Sequence, residues 1–210
     1  MRITLNILLI GTVLLLTYMC YRSIMNAQEF IDERKVREEA IQARLIDVRK
    51  AQIEYKNFYG YHAGSFDDLI KFLNEDKLPF VIKEGSLTDE QLAQGMTEAK
   101  AILEGLIKRD TTWILAKDTI FGSGFDVSSL AFVPIEGVNA KFEMDTATIT
   151  AGQGYTVKVF EAAVPYDVYL NDLDRQELIN LKDKMSKMGR YLGLRVGSVT
   201  EINNNAGNWE

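Results

Sequence analysis

The stretch that decides the fold is residues 1–60, MRITLNILLIGTVLLLTYMCYRSIMNAQEFIDERKVREEAIQARLIDVRKAQIEYKNFYG. It carries no charged side chain from Ile3 to Tyr21 and is rich in charge afterwards. It contains no Pro, and only one Gly precedes Gly60. Because Pro and Gly are the residues that interrupt helices, the stretch predicts one unbroken helix. At the helical rise, such a helix is a rod of roughly 80 Å.

The uncharged segment predicts a transmembrane anchor over residues 1–22, followed by an amphipathic stem over residues 23–60. About 20 apolar residues cross a bilayer, and about 17 are sufficient. Two other interpretations stay open. A cleaved signal peptide would need small residues at its cleavage site, and the nearest candidate, Met25-Asn26-Ala27, fits that pattern poorly. A lipoprotein would be modified at Cys20.

The second half of the stem carries an apolar stripe. Its members recur at steps of three and four residues, as on one face of a helix: Ile41, Leu45, Val48, Gln52, Tyr55 and Tyr59. The stripe predicts either packing against the protein's own head or an interface with a partner helix. The candidate interface residues are Ile41, Leu45, Val48 and Tyr55. The earlier run from Asp32 to Glu39 is charged nearly all round, which predicts a solvated helix.

Residues 61–210 predict one head domain of the α+β class. Capping boxes at Ser65/Asp68 and Thr88/Gln91 open helices, and alternating polar and apolar residues predict an antiparallel sheet with one solvated face. The expected helices cover residues 66–74, 88–108 and 171–188. The expected strands cover residues 80–82, 112–117, 131–134, 140–146, 155–162 and 194–196, with Gly152-Gln153-Gly154 as a turn.

The composition argues against several kinds of chemistry. The chain has one histidine, His62, and one cysteine, so the usual zinc sites and the Ser-His-Asp and Cys-His catalytic arrangements are not expected. We expect no enzyme activity and no cofactor, and we interpret His62 as a solvated or capping loop residue. The formal net charge of -6 is unlike the basic surface that binds nucleic acid.

The C-terminal tail, NNNAGNWE, is unusually rich in Asn. Asn and Gly favour tight turns, so the first interpretation is a turn held in place by Trp209. The second is a calcium-stabilised loop with oxygen ligands from Asn203, Asn204 and Asn205. The third is a disordered or partner-binding tail.

The order of these segments resembles type IV pilins and the pseudopilins of type II secretion. The residues that carry the resemblance are Ile46 to Tyr55 in the stem, Gly60-Tyr61, Ser65 to Leu69, and the ending Ala206-Gly207-Asn208-Trp209. The start Ile3-Thr4-Leu5-Asn6 lacks the acidic residue of the pilin N-terminus. In pseudopilins, a loop near the Gly-Asn-Trp motif binds calcium through acidic residues, where this chain has Asn.

The resemblance implies a structural or assembly subunit of a secretion or filament machine. It implies contact with the lipid bilayer and association with like or unlike envelope proteins. A bacterial inner membrane location follows from it. The two-residue tail before the apolar run is typical of a signal anchor, which would place the head in the periplasm. By the positive-inside rule, Arg22, Arg34, Lys35 and Arg37 behind the anchor would favour a cytoplasmic head instead. The alternative function is a membrane-tethered exoplasmic sensor or ligand-binding module.

Overall fold

The structure is a computed structural model that describes residues 2–88, 91 and 95–210. Its first element, helix α1, spans Arg2–Tyr59 without a break, so the predicted single helix is confirmed. The helix ends because Gly60 takes up a left-handed backbone with φ +77°, which glycine adopts without steric cost. The Gly60 amide donates to the Lys56 carbonyl at 2.7 Å and closes the last turn.

Ten further helices and strands follow α1 along the described chain, with short 3₁₀ turns at Val127–Ala131 and Gly152–Gly154. They are α2 (Phe66–Glu75), β1 (Lys77–Glu84), α3 (Glu98–Leu103), β2 (Lys108–Leu115), α4 (Ala116–Ile120), β3 (Glu143–Thr150), β4 (Thr156–Pro165), α5 (Tyr166–Tyr169), α6 (Arg175–Lys187) and β5 (Gly193–Gly197). The α+β class, with a long N-terminal helix and antiparallel sheets, is therefore as predicted.

The head expected as one domain over residues 61–210 is divided in the structure. One compact unit runs from α1 to Phe66 and resumes over Ser128–Glu210, while the other comprises Asp67–Val127. The larger part of the head therefore belongs to the same unit as the stem.

The first unit contains an antiparallel sheet in the order β3-β4-β5. In its register Glu143 lies opposite Ala163 and Thr150 lies opposite Thr156, and the predicted turn at residues 152–154 joins these two strands. Helix α1 packs against β5. The apolar side chains of the sheet and of the connecting segments form the core of this unit: Leu130, Phe142, Phe160, Ala162, Val164, Tyr169, Leu194 and Val196.

The second unit contains a two-stranded antiparallel ribbon. Strand β1 pairs with β2 from Lys77 opposite Leu115 to Glu84 opposite Lys108. The predicted capping box is present, because the Thr88 amide donates to Gln91 Oε1 at 2.9 Å and the Gln91 amide lies 3.4 Å from Thr88 Oγ1.

Two sequence predictions need correction. The helix expected over residues 88–108 is not continuous, since the described residues are helical at Gln91 and over Glu98–Leu103 but not between Gly95 and Thr97. Residues 89–90 and 92–94 lie outside the described residues. Gly95 and Gly105 have positive φ, which an α-helix does not accommodate. The strand expected over residues 131–134 is a single bridge between Phe132 and Lys141, because Pro134 has no amide to continue a ladder.

Candidate functional site

The N-terminal part of α1 presents apolar side chains to its surroundings. Large side chains such as Ile7, Leu14 and Ile24 are exposed. By length and composition, the described residues include a helix that could cross a membrane, and none of its most apolar window is buried in the protein. The hydroxyls of Thr12 and Thr17 donate to carbonyls one turn earlier, both at 2.9 Å. The polar groups of these two side chains are therefore satisfied within the helix, as a lipid environment requires.

The stem stripe lies inside the protein. Ile41, Leu45 and Val48 have no exposed surface and Tyr55 is 7% exposed. This corrects the interpretation of these four residues as a partner interface, because a buried side chain is not available to another molecule. The stripe belongs to the core, in agreement with the alternative prediction that it packs against the protein's own head. It covers the face of the sheet that needs an apolar partner. Tyr59, the last predicted member, is 41% exposed.

Gln52 is the polar member of the buried stripe. Its side-chain amide donates from Nε2 to the Ala63 carbonyl at 2.9 Å, and its Oε1 accepts from the Ala63 amide at 2.9 Å. Gln52 Nε2 also lies 3.2 Å from Met144 Sδ in β3. The side chain therefore satisfies both backbone groups of Ala63 and fixes the chain where it reverses after the stem.

The charged run of the stem is only partly solvated, which corrects the prediction for Asp32 to Glu39. The Arg37 guanidinium donates two hydrogen bonds to the Asp172 carboxylate, at 2.6 and 2.8 Å. It also donates to the Tyr169 carbonyl at 2.7 Å and to Glu33 at 2.9 Å. The Arg37 side chain beside it lowers the pKa of Asp172. Arg37 therefore clamps the stem to the segment between α5 and α6.

Packing of the stem begins earlier than the stripe suggested, at Phe30, which is buried. Phe30 lies eleven residues before Ile41, or three helical turns on the same face. This spacing is the sequence signal that would have extended the stripe into the charged run. Between these two residues, Glu38 accepts a long hydrogen bond of 3.4 Å from the Tyr169 hydroxyl, and burial raises the pKa of the Glu38 carboxyl.

The C-terminal motif acts as an extra partner for β5. Gly207 forms a bridge with Val196. The Asn208 side chain accepts from the Arg195 amide at 3.1 Å and donates to the Gly193 carbonyl at 2.9 Å. A side chain at Gly207 would lie 2.5 Å from the Trp209 ring, so the indole packs over a position where only glycine fits. Gly207, Asn208 and Trp209 therefore hold the tail against the sheet.

The three asparagines form a turn in which each has a structural role. Asn204 and Asn205 both have positive φ, and the Asn203 side chain donates to the Ala206 carbonyl at 3.1 Å. The Asn205 carbonyl lies 3.4 Å from the Arg49 guanidinium, which also pairs with Glu210 at 2.6 Å. These contacts support the turn interpretation, and the calcium-stabilised loop stays a prediction.

In the part of the chain that the structure describes, the His, Cys, Asp and Glu side chains form no candidate metal site. The described residues contain no group of three or more of these side chains that could hold an ion.

His62 is a buried residue, which corrects the expectation of a solvated or capping side chain. It is 4% exposed, and its ring centroid lies 4.8 Å from that of Phe160. Neither ring nitrogen makes a hydrogen bond of good geometry, although the carbonyls of Gln52 and Lys158 are close enough to favour the protonated ring. Burial, followed by the charge of Lys56, lowers the pKa of His62 to about 4.

No family model matches the chain, and comparison with curated proteins and with solved structures likewise gives no match. Any functional assignment therefore rests on the residues of this chain and on their geometry.

Proposed function

We propose that this protein is a non-enzymatic, single-pass envelope protein that serves as a pilin-like structural subunit of a secretion or filament assembly. The observation that carries the proposal is α1, since one helix of 58 residues is both the apolar N-terminal segment and the core element of the head. In bacteria the location would be the inner membrane, with the head in the periplasm. The partners would be further copies of this chain or other envelope proteins.

The construction of the stem supports a mechanical role. A helix without a Gly between Gly11 and Gly60 offers no flexible point between the apolar segment and the head. The Arg37–Asp172 clamp and the Arg49–Glu210 pair at 2.6 Å tie that helix to two later segments of the same unit. A force or displacement applied to the anchor is therefore transmitted to the sheet without a hinge.

The test is affinity purification of the full-length protein from cells after treatment with a short amine-reactive crosslinker. We expect crosslinks between copies of the chain or to other integral envelope proteins, identified by mass spectrometry. The matched control is a chain that starts at Ser23, which lacks the anchor and should lose these partners while its head remains folded. A full-length protein that stays monomeric and captures no envelope protein would refute the proposal.

A further inference from the structure

A cavity of about 290 Å³ opens where the stem ends against the sheet of the first unit. It lies beside the loop after α1 and the neighbouring strands β3 and β4, and its lining residues are Tyr61, His62, Thr146, Ala147, Thr148, Lys158 and Val159. None of these lining residues is acidic. We propose that this cavity binds a small oxyanion, a phosphate or carboxylate group, with Lys158 as its principal ligand. The inference does not depend on the proposed assembly function.

The strand register brings the cationic and hydroxyl groups together. Lys158 on β4 lies directly opposite Thr148 on β3, and the next pair on the same face is Phe160 with Thr146. Directly opposed residues of an antiparallel pair share one face of the sheet. The cavity therefore has an ammonium group and two threonine hydroxyls on one wall, and these are groups that donate hydrogen bonds to an oxyanion.

A second ammonium group, that of Lys56, contacts the backbone of Lys158. Lys56 Nζ donates to the Lys158 carbonyl at 3.1 Å, while Lys158 Nζ donates to the Gly60 carbonyl at 3.1 Å and lies 5.5 Å from the centre of the Tyr61 ring. Each ammonium has three protons, so both retain donors for a ligand. The nearby Asp145 carboxylate accepts from the Thr146 amide, and Asp145 is not among the residues that line the cavity.

The buried histidine gives independent support. His62 lines the cavity, yet both of its ring nitrogens are buried without a hydrogen bond of good geometry. Two buried nitrogens without hydrogen-bond partners destabilise the folded protein. Protonation of the ring is also unfavourable, because the positive charge of Lys56 is nearby. A bound anion would reverse this effect, because a negative charge favours the imidazolium form.

His62 also provides the assay, because it is the only histidine in the chain. Full-length protein in detergent micelles, with ¹³C-labelled histidine, gives a single Cε1–Hε1 resonance. We expect inorganic phosphate to shift this resonance saturably at constant ionic strength, and sodium chloride not to do so. Acetate is titrated in a parallel experiment. A resonance shift that saturates with phosphate but not with acetate indicates a phosphate ligand, whereas saturation with both anions indicates a general oxyanion site.

Lys158→Met should weaken the phosphate titration roughly tenfold, the effect of losing a charged hydrogen bond, and Lys158→Arg should restore most of it. The matched control is Lys141→Met, since Lys141 also lies over an aromatic ring, 5.3 Å from the centre of Phe132. This variant should titrate like the parent protein. A shift that does not saturate, that chloride reproduces, or that persists unchanged in Lys158→Met would overturn the proposal.

Discussion

At the scale of single residues, Gln52 shows how one buried polar side chain specifies the path of the chain. Gln52→Leu keeps the size of the side chain but leaves both the amide and the carbonyl of Ala63 without their partner. Each unsatisfied buried group costs about 1–3 kcal/mol. We therefore expect the free energy of unfolding to fall by about 2 kcal/mol or more, measured by denaturant titration in detergent.

The control for this prediction is Gln176→Leu. Gln176 is an exposed helix residue whose side chain bonds only the nearby Asn180, at 3.0 Å. Its replacement should change the free energy of unfolding by less than about 0.5 kcal/mol, as surface substitutions usually do. Equal effects of the two substitutions would contradict the role assigned to Gln52.

His62 predicts a specific dependence of stability on pH. Its pKa is about 4 in the folded protein and 6.5 when unfolded, so above pH 6.5 both states carry the neutral ring. As the pH falls from 6.5 to about 4, the unfolded chain takes up a proton that the folded protein refuses. The free energy of unfolding should therefore decrease over this range, by on the order of 3 kcal/mol.

The measurement compares the parent protein with His62→Gln between pH 7 and 4. The difference between the two proteins gives the contribution of His62 to the change in unfolding free energy with pH. It removes the contribution of groups such as Glu38, whose raised pKa stabilises the folded protein as the pH falls. The groups around the ring are Lys56, Lys158 and the uncharged Phe160 and Gln52. The histidine resonance of the folded protein should titrate near pH 4, and a midpoint near 6.5 would show that the ring is solvated.

At the scale of elements, the clamp between Arg37 in α1 and Asp172 before α6 ties the stem to the head. The Arg37 side chain is largely buried while that of Asp172 is 62% exposed, so solvent screens the pair. A double-mutant cycle with Arg37→Gln and Asp172→Asn should give a coupling energy of about 1 kcal/mol. The coupling should decrease at high salt.

The exposed pair of Lys182 and Asp167, joined by one contact at 2.6 Å, is the comparison for this cycle. It lacks the bidentate geometry and the added contact with the Tyr169 carbonyl that hold Arg37. We expect its coupling energy to be less than half that of the clamp. A coupling near zero for Arg37 and Asp172 would show that the clamp does not stabilise the folded protein.

The elements also show how far the sequence predicts this fold. Helix α1 and strand β4 were predictable because they depend on local signals, namely the lack of helix breakers and the alternation of polar and apolar residues. The short strand expected over residues 194–196 lies within β5 (Gly193–Gly197). The strand expected over residues 140–146 lies further along the chain, at Glu143–Thr150. The short helix α3 was not predictable, because the conformations of Gly95 and Gly105 outweigh the apolar periodicity around them. The boundary between two compact units at Phe66 and Ser128 depends on contacts distant in sequence and leaves no local signal.

The candidate sites were likewise predictable only where local sequence signals determine them. The stem stripe was predictable as an apolar face, but periodicity cannot tell a face that meets its own sheet from one that meets a partner. The clamp at Arg37 depends on Asp172, which is 135 residues away in sequence, and the burial of His62 depends on packing against Phe160, which is also distant in sequence. For this reason a charged run was expected to be solvated, and a lone histidine to be exposed.

At the scale of the whole molecule, the central claim is that α1 anchors the protein and brings its heads together in an assembly. The most direct test is disulfide crosslinking in cells at two valines of α1, in a Cys20→Ser background. Val36 is 64% exposed on the stem, whereas Val48 is fully buried. We expect crosslinked dimers or envelope adducts with Val36→Cys and none with Val48→Cys. An uncrosslinked Val36→Cys protein, with the thiol freely reactive, would contradict the central claim.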